Sequence, residues 1–305
     1  MKLLTCFFCL IFLIHLSQAQ TLDKDTLTKN ETIKSFQSII QTLAHDSMGG
    51  RYAGSPYEDK ARHFIIHYYL GSFLKDDYII STDTFTYCCR NNDSITAHNI
   101  FAIPKQGNKK HFILAAHYDH LPPGSSFSKE IWNKNYIHPG ADDNASGVAL
   151  ALLVFKNWYL HKNNSNFNII LILFSGHEEG LFGSKYWTEN HSAFSHSVIL
   201  MLNFDMIGHM SEETCILSAR TENNNVQDTI LTNLAKQTGI RLVLSTDNIQ
   251  NTDARSFLSF GYPVFSFTTG IHNDYHRITD TPEKINYSGL LRIYNFINNV
   301  LKIYF

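Results

Sequence analysis

Ile169-Ile170-Leu171-Ile172-Leu173-Phe174 is apolar at every position and runs straight into Ser175-Gly176-His177-Glu178-Glu179-Gly180. A half-exposed strand alternates apolar and polar residues, because successive side chains point to opposite faces. An unbroken apolar run leaves no face for water and predicts a central strand covered on both sides. Outward from it, the pairing of apolar run and polar end recurs. Phe112 to Ala116 is a short buried-type strand ending in His117, Asp119 and His120, and Val198 to Asn203 leads to Asp205. Val264 to Thr268 precedes His272, Asp274, Tyr275 and His276. Helical patterns lie between: Ala145 to Tyr159, Leu181 to Asn190, Val226 to Gln237 ended by Gly239, Ala254 to Phe260, and a closing amphipathic helix from Leu290 to Ile303. Cys215 to Ser218 and Leu242 to Leu244 read as further short strands. Strands alternating with helices predict an α/β fold with a mixed, mainly parallel central sheet flanked by helices.

Nearer the N-terminus, Ser55-Pro56-Tyr57-Glu58 has the form of a capping box with proline at the first helical position. Ala61, Phe64, Ile65, Tyr68 and Tyr69 follow at helical spacing as far as Gly71. Tyr78 to Tyr87 and Ile95 to Ile103 read as a hairpin through Arg90-Asn91-Asn92-Asp93, the antiparallel part of the sheet. Without a repeat or a Gly/Ser- or Pro-rich linker, residues 20–305 read as one domain.

The chain has 305 residues, 25 Lys+Arg against 27 Asp+Glu, and a formal net charge of −2. That balance removes the electrostatic case for nucleic-acid binding. A hydrophobic content of 44% with 17% charged residues suits a packed globular protein rather than a disordered one. Lys2, the apolar stretch from Leu3 to Leu16 and Ser17-Gln18-Ala19 form a basic, an apolar and a small-residue region in series. This predicts a secretory signal peptide over residues 1–19, too short to span a bilayer, and hence a secreted or periplasmic protein with no stable membrane span after cleavage. Cys88, Cys89 and Cys215 remain beyond it, an odd number without a Cys-x-x-Cys pair. Neither a disulfide framework nor a thiolate zinc site is indicated, and whether Cys88 or Cys89 pairs with Cys215 is left open.

Sixteen histidines make a metal site worth seeking. Parallel strands share one direction, so the polar residues past their carboxyl ends share one rim of the sheet, where open α/β sheets place their ligands. Several carboxylates on one rim repel one another and lose solvation; a divalent cation removes the conflict. Imidazole and carboxylate without thiolate suit Zn²⁺, with Mn²⁺ or Co²⁺ as substitutes, and the donors outnumber what one tetrahedral ion needs. Spacing does not say which of Asp142 and Asp143, or of Glu178 and Glu179, is ligand, base or neighbour.

His117-Tyr118-Asp119, Gly140-Ala141-Asp142-Asp143-Asn144-Ala145-Ser146-Gly147, Ser175-Gly176-His177-Glu178-Glu179-Gly180-Leu181-Phe182-Gly183-Ser184, Asn203-Phe204-Asp205-Met206-Ile207-Gly208 and His272-Asn273-Asp274-Tyr275-His276 occur in that order. In these the chain resembles the M28 family of co-catalytic dizinc peptidases, mostly aminopeptidases. The likeness runs from Asp46-Ser47-Met48-Gly49-Gly50-Arg51 to Asp280-Thr281-Pro282-Glu283-Lys284-Ile285-Asn286. The resemblance implies a zinc-exopeptidase-like three-layer sandwich and two Zn²⁺. His117 and Asp205 would hold one, Glu179 and His276 the other, and Asp142 both. It further implies Glu178 as general base and acid, Asp119 as acceptor from the far ring N–H of His117, Asp143 as a supporting neighbour joined to Asp142 by a cis peptide, and Tyr275 as a phenol that stabilises the tetrahedral intermediate. The substrates implied are peptides with a free N-terminus. Thr252-Asp253-Ala254 departs from the Ser-Asp-His of many relatives, which puts in doubt any substrate-pocket role of the missing imidazole. His177 is read as supporting, and His209 among others as surface or core. Trp132 and Tyr136 are equally candidates for a specificity pocket and for packing.

Other classes of function stay in view. A glutaminyl-peptide cyclase on a similar fold would use one zinc and need Asp142, Glu179 and His276; His117, Asp205 and the Asp142-Asp143 pair favour two metals. A carboxypeptidase-type member and a non-catalytic binding module are the remaining alternatives.

Overall fold

The structure, a computed structural model, describes residues 29–88, 93–105, 109–130, 135–211, 214–218, 225–245 and 251–303. The expected signal peptide, residues 90–92 of the expected hairpin turn and Trp132 lie outside the described residues. Among the described residues no helix is long and apolar enough to cross a membrane.

Eight strands form one sheet in the order β1-β2-β4-β3-β5-β8-β6-β7. They are β1 (Tyr78–Cys88), β2 (Ser94–Pro104), β3 (Lys110–His117), β4 (Phe167–Phe174), β5 (Val198–Phe204), β6 (Thr214–Ser218), β7 (Arg241–Ser245) and β8 (Val264–Thr268). β3, β4, β5 and β8 run parallel, while β1, β2 and the pairing of β6 with β8 are antiparallel. The antiparallel part therefore extends beyond the expected hairpin. Cys88, at the end of β1, is an exposed free thiol.

The apolar run in β4 is explained by what covers it. Ile169, Leu171 and Leu173 join Phe112, Leu114 and Ala116 of β3 in the larger core. Ile170, Ile172 and Phe174 join Ile113 and Ala115 in a second core on the opposite face. The larger core is closed by helices α1 (29–43), α3 (Gly147–His161) and α7 (Tyr287–Lys302), the second by α4 (Phe182–Asn190) and α6 (Ala254–Ser259). A period of two with both faces buried is a run apolar at every position. Each fully buried Phe or Leu contributes about 1.5–3 kcal/mol relative to exposure. Helix α5 (Asn225–Gln237) packs beside β7 and α7. Helix α1 lies outside the elements expected from the sequence, although its buried Phe36, Ile39, Ile40 and Leu43 stand at helical spacing.

Local signals explain several boundaries. Ser55 caps α2 (Pro56–His63), accepting from the backbone N–H of Tyr57 at 3.2 Å and of Glu58 at 3.1 Å. Glu58 does not close the box on Ser55; its carboxylate accepts from the N–H of Gly54 at 2.6 Å and of His98 at 3.0 Å, tying the helix to β2. Helix α3 begins at Gly147 rather than Ala145, because Asp143 (φ −103°, ψ 88°) and Asn144 (φ −133°, ψ 41°) are not helical. That irregular segment is where the site lies.

Candidate metal centre

β3 and β4 end level, with His117 paired to Phe174. His117 therefore sits beside the turn that carries His177 and Glu178, and one strand over β5 delivers Asp205. The 140–146 segment is clamped against this rim. Arg51, fully buried, donates from its fork to the carbonyls of Leu43, Pro139, Gly140 and Asp143 at 2.6–3.3 Å. The Asp280 carboxylate accepts from the backbone N–H of Asp142 at 2.9 Å and of Asp143 at 3.0 Å. The Asn144 amide donates to the Phe204 carbonyl at 2.9 Å and accepts from Gly147 and Met206.

The clamped segment presents Asp143, not Asp142, to the rim. Asp143 Oδ1 lies 3.4 Å from His117 Nε2, and Oδ2 lies 3.2 Å from His276 Nε2. Asp205 Oδ1 is 3.6 Å from His117 Nε2, and Glu178 Oε2 is 3.3 Å from His276 Nε2. Of the expected set His117, Asp142, Glu179, Asp205 and His276, the structure brings His117, Asp205 and His276 together with Asp143 and Glu178. Asp142 faces the other way: Oδ1 accepts from the Ser146 hydroxyl at 2.8 Å and from the Gly208 N–H, and Oδ2 is 3.1 Å from His272 Nε2. Glu179 is half-buried and, like His276, stands outside the groups of three close donors found among the described residues. Adjacent residues in irregular or extended chain point their side chains apart, so one member of each acidic pair faces the rim. Sequence alone had no means to choose which. The cis peptide likewise falls one bond later, at Asp143–Asn144.

The other expected residues are at the rim with altered contacts. The Asp119 carboxylate accepts from the backbone N–H of His177 at 3.3 Å and of Glu178 at 3.4 Å. Its backbone carbonyl meets His117 Nδ1 at 3.2 Å, and its carboxylate oxygen Oδ1 stands 3.7 Å from the same nitrogen. Tyr275 stacks on His276, with ring centroids 3.8 Å apart, and lines a cavity of about 160 Å³ with Asp143, His177, Glu178, Asp205 and His276. Burial, then the charges of Asp143 and Glu178, push its phenol up, so it stays protonated. Tyr136 is exposed and is absent from the lining. His120 and His177 carry more than the sequence suggested. His120 Nδ1 meets Glu178 Oε1 at 2.9 Å, and His177 Nδ1 meets Asp253 Oδ2 at 2.9 Å.

Burial alone would raise the Glu178 carboxyl; hydrogen bonds from His120 and His276 outweigh it and hold it well below the usual range. Burial would lower His276, but Asp143 and Glu178 raise it to about 10. Burial and the neighbouring His117 lower His177, and Asp253 overcomes both to bring it to about 9. Cations bound among these carboxylates act in the opposite sense on the imidazoles.

The donor set fits a pair of ions. His117 Nε2 and Asp143 Oδ2 are buried without a hydrogen-bond partner, although 3.2–3.4 Å contacts surround them. Ligands about 2.0–2.2 Å from one tetrahedral ion stand apart by roughly this spacing. Two other groups have donor atoms close together: His117 with His177 and Asp205, and Asp142 with His209 and His272. In each, two imidazoles lie parallel, centroids 3.6 Å apart and 7° tilted. A ring nitrogen binds in its ring plane, and parallel planes so far apart do not meet at one ion about 2 Å from both nitrogens.

A mixed α/β sandwich with an imidazole–carboxylate cluster on its carboxyl rim defines a class of metal-binding α/β proteins. The sequence model of "Peptidase family M28" matches residues 99–301, and the chain belongs to that family. A "probable zinc metalloprotease" of Pyrenophora teres f. teres is 33% identical over 132 residues, covering 42% of this chain and 27% of that protein. The chain thus matches about a quarter of the length of that relative. An aminopeptidase from Aneurinibacillus sp. strain AM-1 superposes with a TM-score of 0.70 at 16% identity, covering 89% of this chain and 93% of that one. A glutaminyl cyclase from Bacteroides thetaiotaomicron superposes with a TM-score of 0.73 at 17% identity, over 88% and 97%. These two likenesses are of fold.

Proposed function

We propose that the chain is a zinc-dependent exopeptidase that removes the N-terminal residue of peptides. One observation carries this: the Asp143 carboxylate stands between His117 and His276, one oxygen toward each imidazole. His117, Asp143 and Asp205 would hold one Zn²⁺, and Asp143, Glu178 and His276 the other, with Mn²⁺ or Co²⁺ as substitutes. When bound, such a pair polarises the scissile carbonyl and makes water a nucleophile at neutral pH. Tyr275, kept protonated, donates to the carbonyl oxygen as negative charge develops on it. His120 holds Glu178 in place. The carboxylates of the rim attract the α-ammonium group of the substrate. A cavity of about 160 Å³ is small beside the roughly 300–1,000 Å³ of drug-sized sites, which suits a single terminal residue. Residues 1–19 are proposed as the leader that exports the domain of 20–305 to the periplasm or the exterior; the basic, apolar and small-residue series supports this.

The test is elemental analysis of the purified protein with a panel of aminoacyl-anilides, an N-terminal glutaminyl peptide and a C-terminally free, N-blocked peptide, with and without chelator. Release of the first residue, lost with chelator and restored by zinc, is expected. Cyclisation of the glutaminyl peptide alone would make the chain a glutaminyl cyclase. Cleavage confined to the blocked peptide would make it a carboxypeptidase, and metal-independent behaviour would end the proposal.

A further inference from the structure

Hydrolysis needs a group that takes a proton from the attacking water and gives it to the leaving amine. Glu178 was the expected carrier, but one of its oxygens is engaged by His120 and the other faces His276 beside Asp143. From the geometry of the rim we infer that His177, held by Asp253, is this proton carrier, an inference that rests on the exopeptidase reading above.

Three observations support it. First, His177 lines the cavity together with Asp143, Asp205 and Tyr275, so it borders the space where the scissile bond would lie. Second, its ring is oriented. Nδ1 is 2.9 Å from the carboxylate of Asp253, which is 1% exposed. A carboxylate only accepts, so Nδ1 carries the hydrogen; in the neutral ring, which cations held by His117, Asp143 and Asp205 would favour, Nε2 is the nitrogen with a lone pair. Third, the stack on His117 disfavours metal binding by His177 at the same ion. Rings stacked with centroids 3.6 Å apart and 7° from parallel do not both hold one ion in their planes. A half-buried imidazole, oriented by a buried carboxylate and unsuited to the metal, is arranged for proton transfer.

The step balances without an external reactant. Water oxygen bonds to the carbonyl carbon while its proton passes to His177 Nε2. The C–N bond then breaks, its electron pair stays on nitrogen, and His177 returns the proton to that nitrogen. Asp253 accepts the Nδ1 hydrogen bond throughout; it is a positioning residue and does not touch substrate.

His177→Gln and Asp253→Asn are measured in the zinc-loaded full chain for metal content, kcat and KM, and the pH profile of kcat. Both are expected to keep the wild-type metal content and a KM within a few-fold. His177→Gln lowers kcat about 10²–10⁴-fold, and added imidazole restores part of it. Asp253→Asn lowers kcat less and shifts the pH profile, and the double variant is no worse than His177→Gln. Wild-type turnover that survives His177→Gln within tenfold overturns the inference and leaves the exopeptidase reading intact. Loss of metal in His177→Gln would make it a ligand and overturns the inference also. No turnover by the zinc-loaded wild type overturns both. If His177→Gln fails to fold, His177→Asn and the Asp253→Asn pH profile decide the matter by the same outcomes.

Discussion

The carboxylates of Asp142 and Asp143, neighbours in the chain, serve different surroundings: Asp143 reaches His117 and His276, and Asp142 reaches His272, Ser146 and Gly208. Asp143→Asn is therefore expected to weaken zinc binding at least tenfold with the fold retained. Asp142→Asn should keep the metal and lose about 1–3 kcal/mol of stability, because its oxygens are buried acceptors. Zinc titration calorimetry and urea unfolding of the two variants separate these effects; equal metal loss in both would contradict the assignment.

Glu178→Gln offers a second contrast. A pure proton carrier would keep its metal when made neutral. With Glu178 placed against His276 and oriented by His120, the substitution is expected to lower zinc content as well as turnover. Elemental analysis after dialysis checks this, and full zinc occupancy in the variant would return Glu178 to the role of base.

Arg51 holds four backbone carbonyls on two segments from a fully buried position. Burial lowers its guanidinium to about 10, against the pull of Asp143 and Asp280, which keeps it charged at neutral pH. Arg51→Met leaves those carbonyls without donors and removes the cation beside Asp143 and Asp280. A loss of about 3 kcal/mol or more is expected, with weaker zinc binding. Arg51→Lys should recover little, since an ammonium cannot span both segments. Wild-type melting of Arg51→Met would refute the clamp.

His138 gives the acid limb of stability. Burial, then the neighbouring His120 and His276, lower its pKa from 6.5 to about 4, while Ser128 Oγ lies 2.7 Å from its Nε2. The unfolded chain takes up the proton first, so between these values it binds more protons than the folded one. Stability is full above pH 6.5 and falls as the pH drops toward about 4. His138→Asn should flatten that part of a pH series of chemical denaturation curves; an unchanged slope would assign it to other groups.

Much of the site is legible from the residues. His117, Asp205, His276 and Tyr275 stand at the rim because each follows an apolar run, and the rim is where parallel strands end. Helix α1 is equally legible in the spacing of Phe36, Ile39, Ile40 and Leu43. The choice within Asp142-Asp143 and Glu178-Glu179 was beyond sequence, and so was the pairing of His177 with Asp253, 76 positions apart. Arg51 appeared within a stretch shared with the family but without a role, since its partners lie up to 92 residues away.

Strand patterning and residue type are local properties, so the sheet, the rim and the chemical kind of the donors follow from the residues alone. Which oxygens and nitrogens converge depends on the packed fold. Two adjacent carboxylates are equivalent in composition and differ only in the direction their shared backbone gives them. That direction is held by Arg51 and Asp280, distant in sequence, one bonding the carbonyls of the segment and the other its N–H groups.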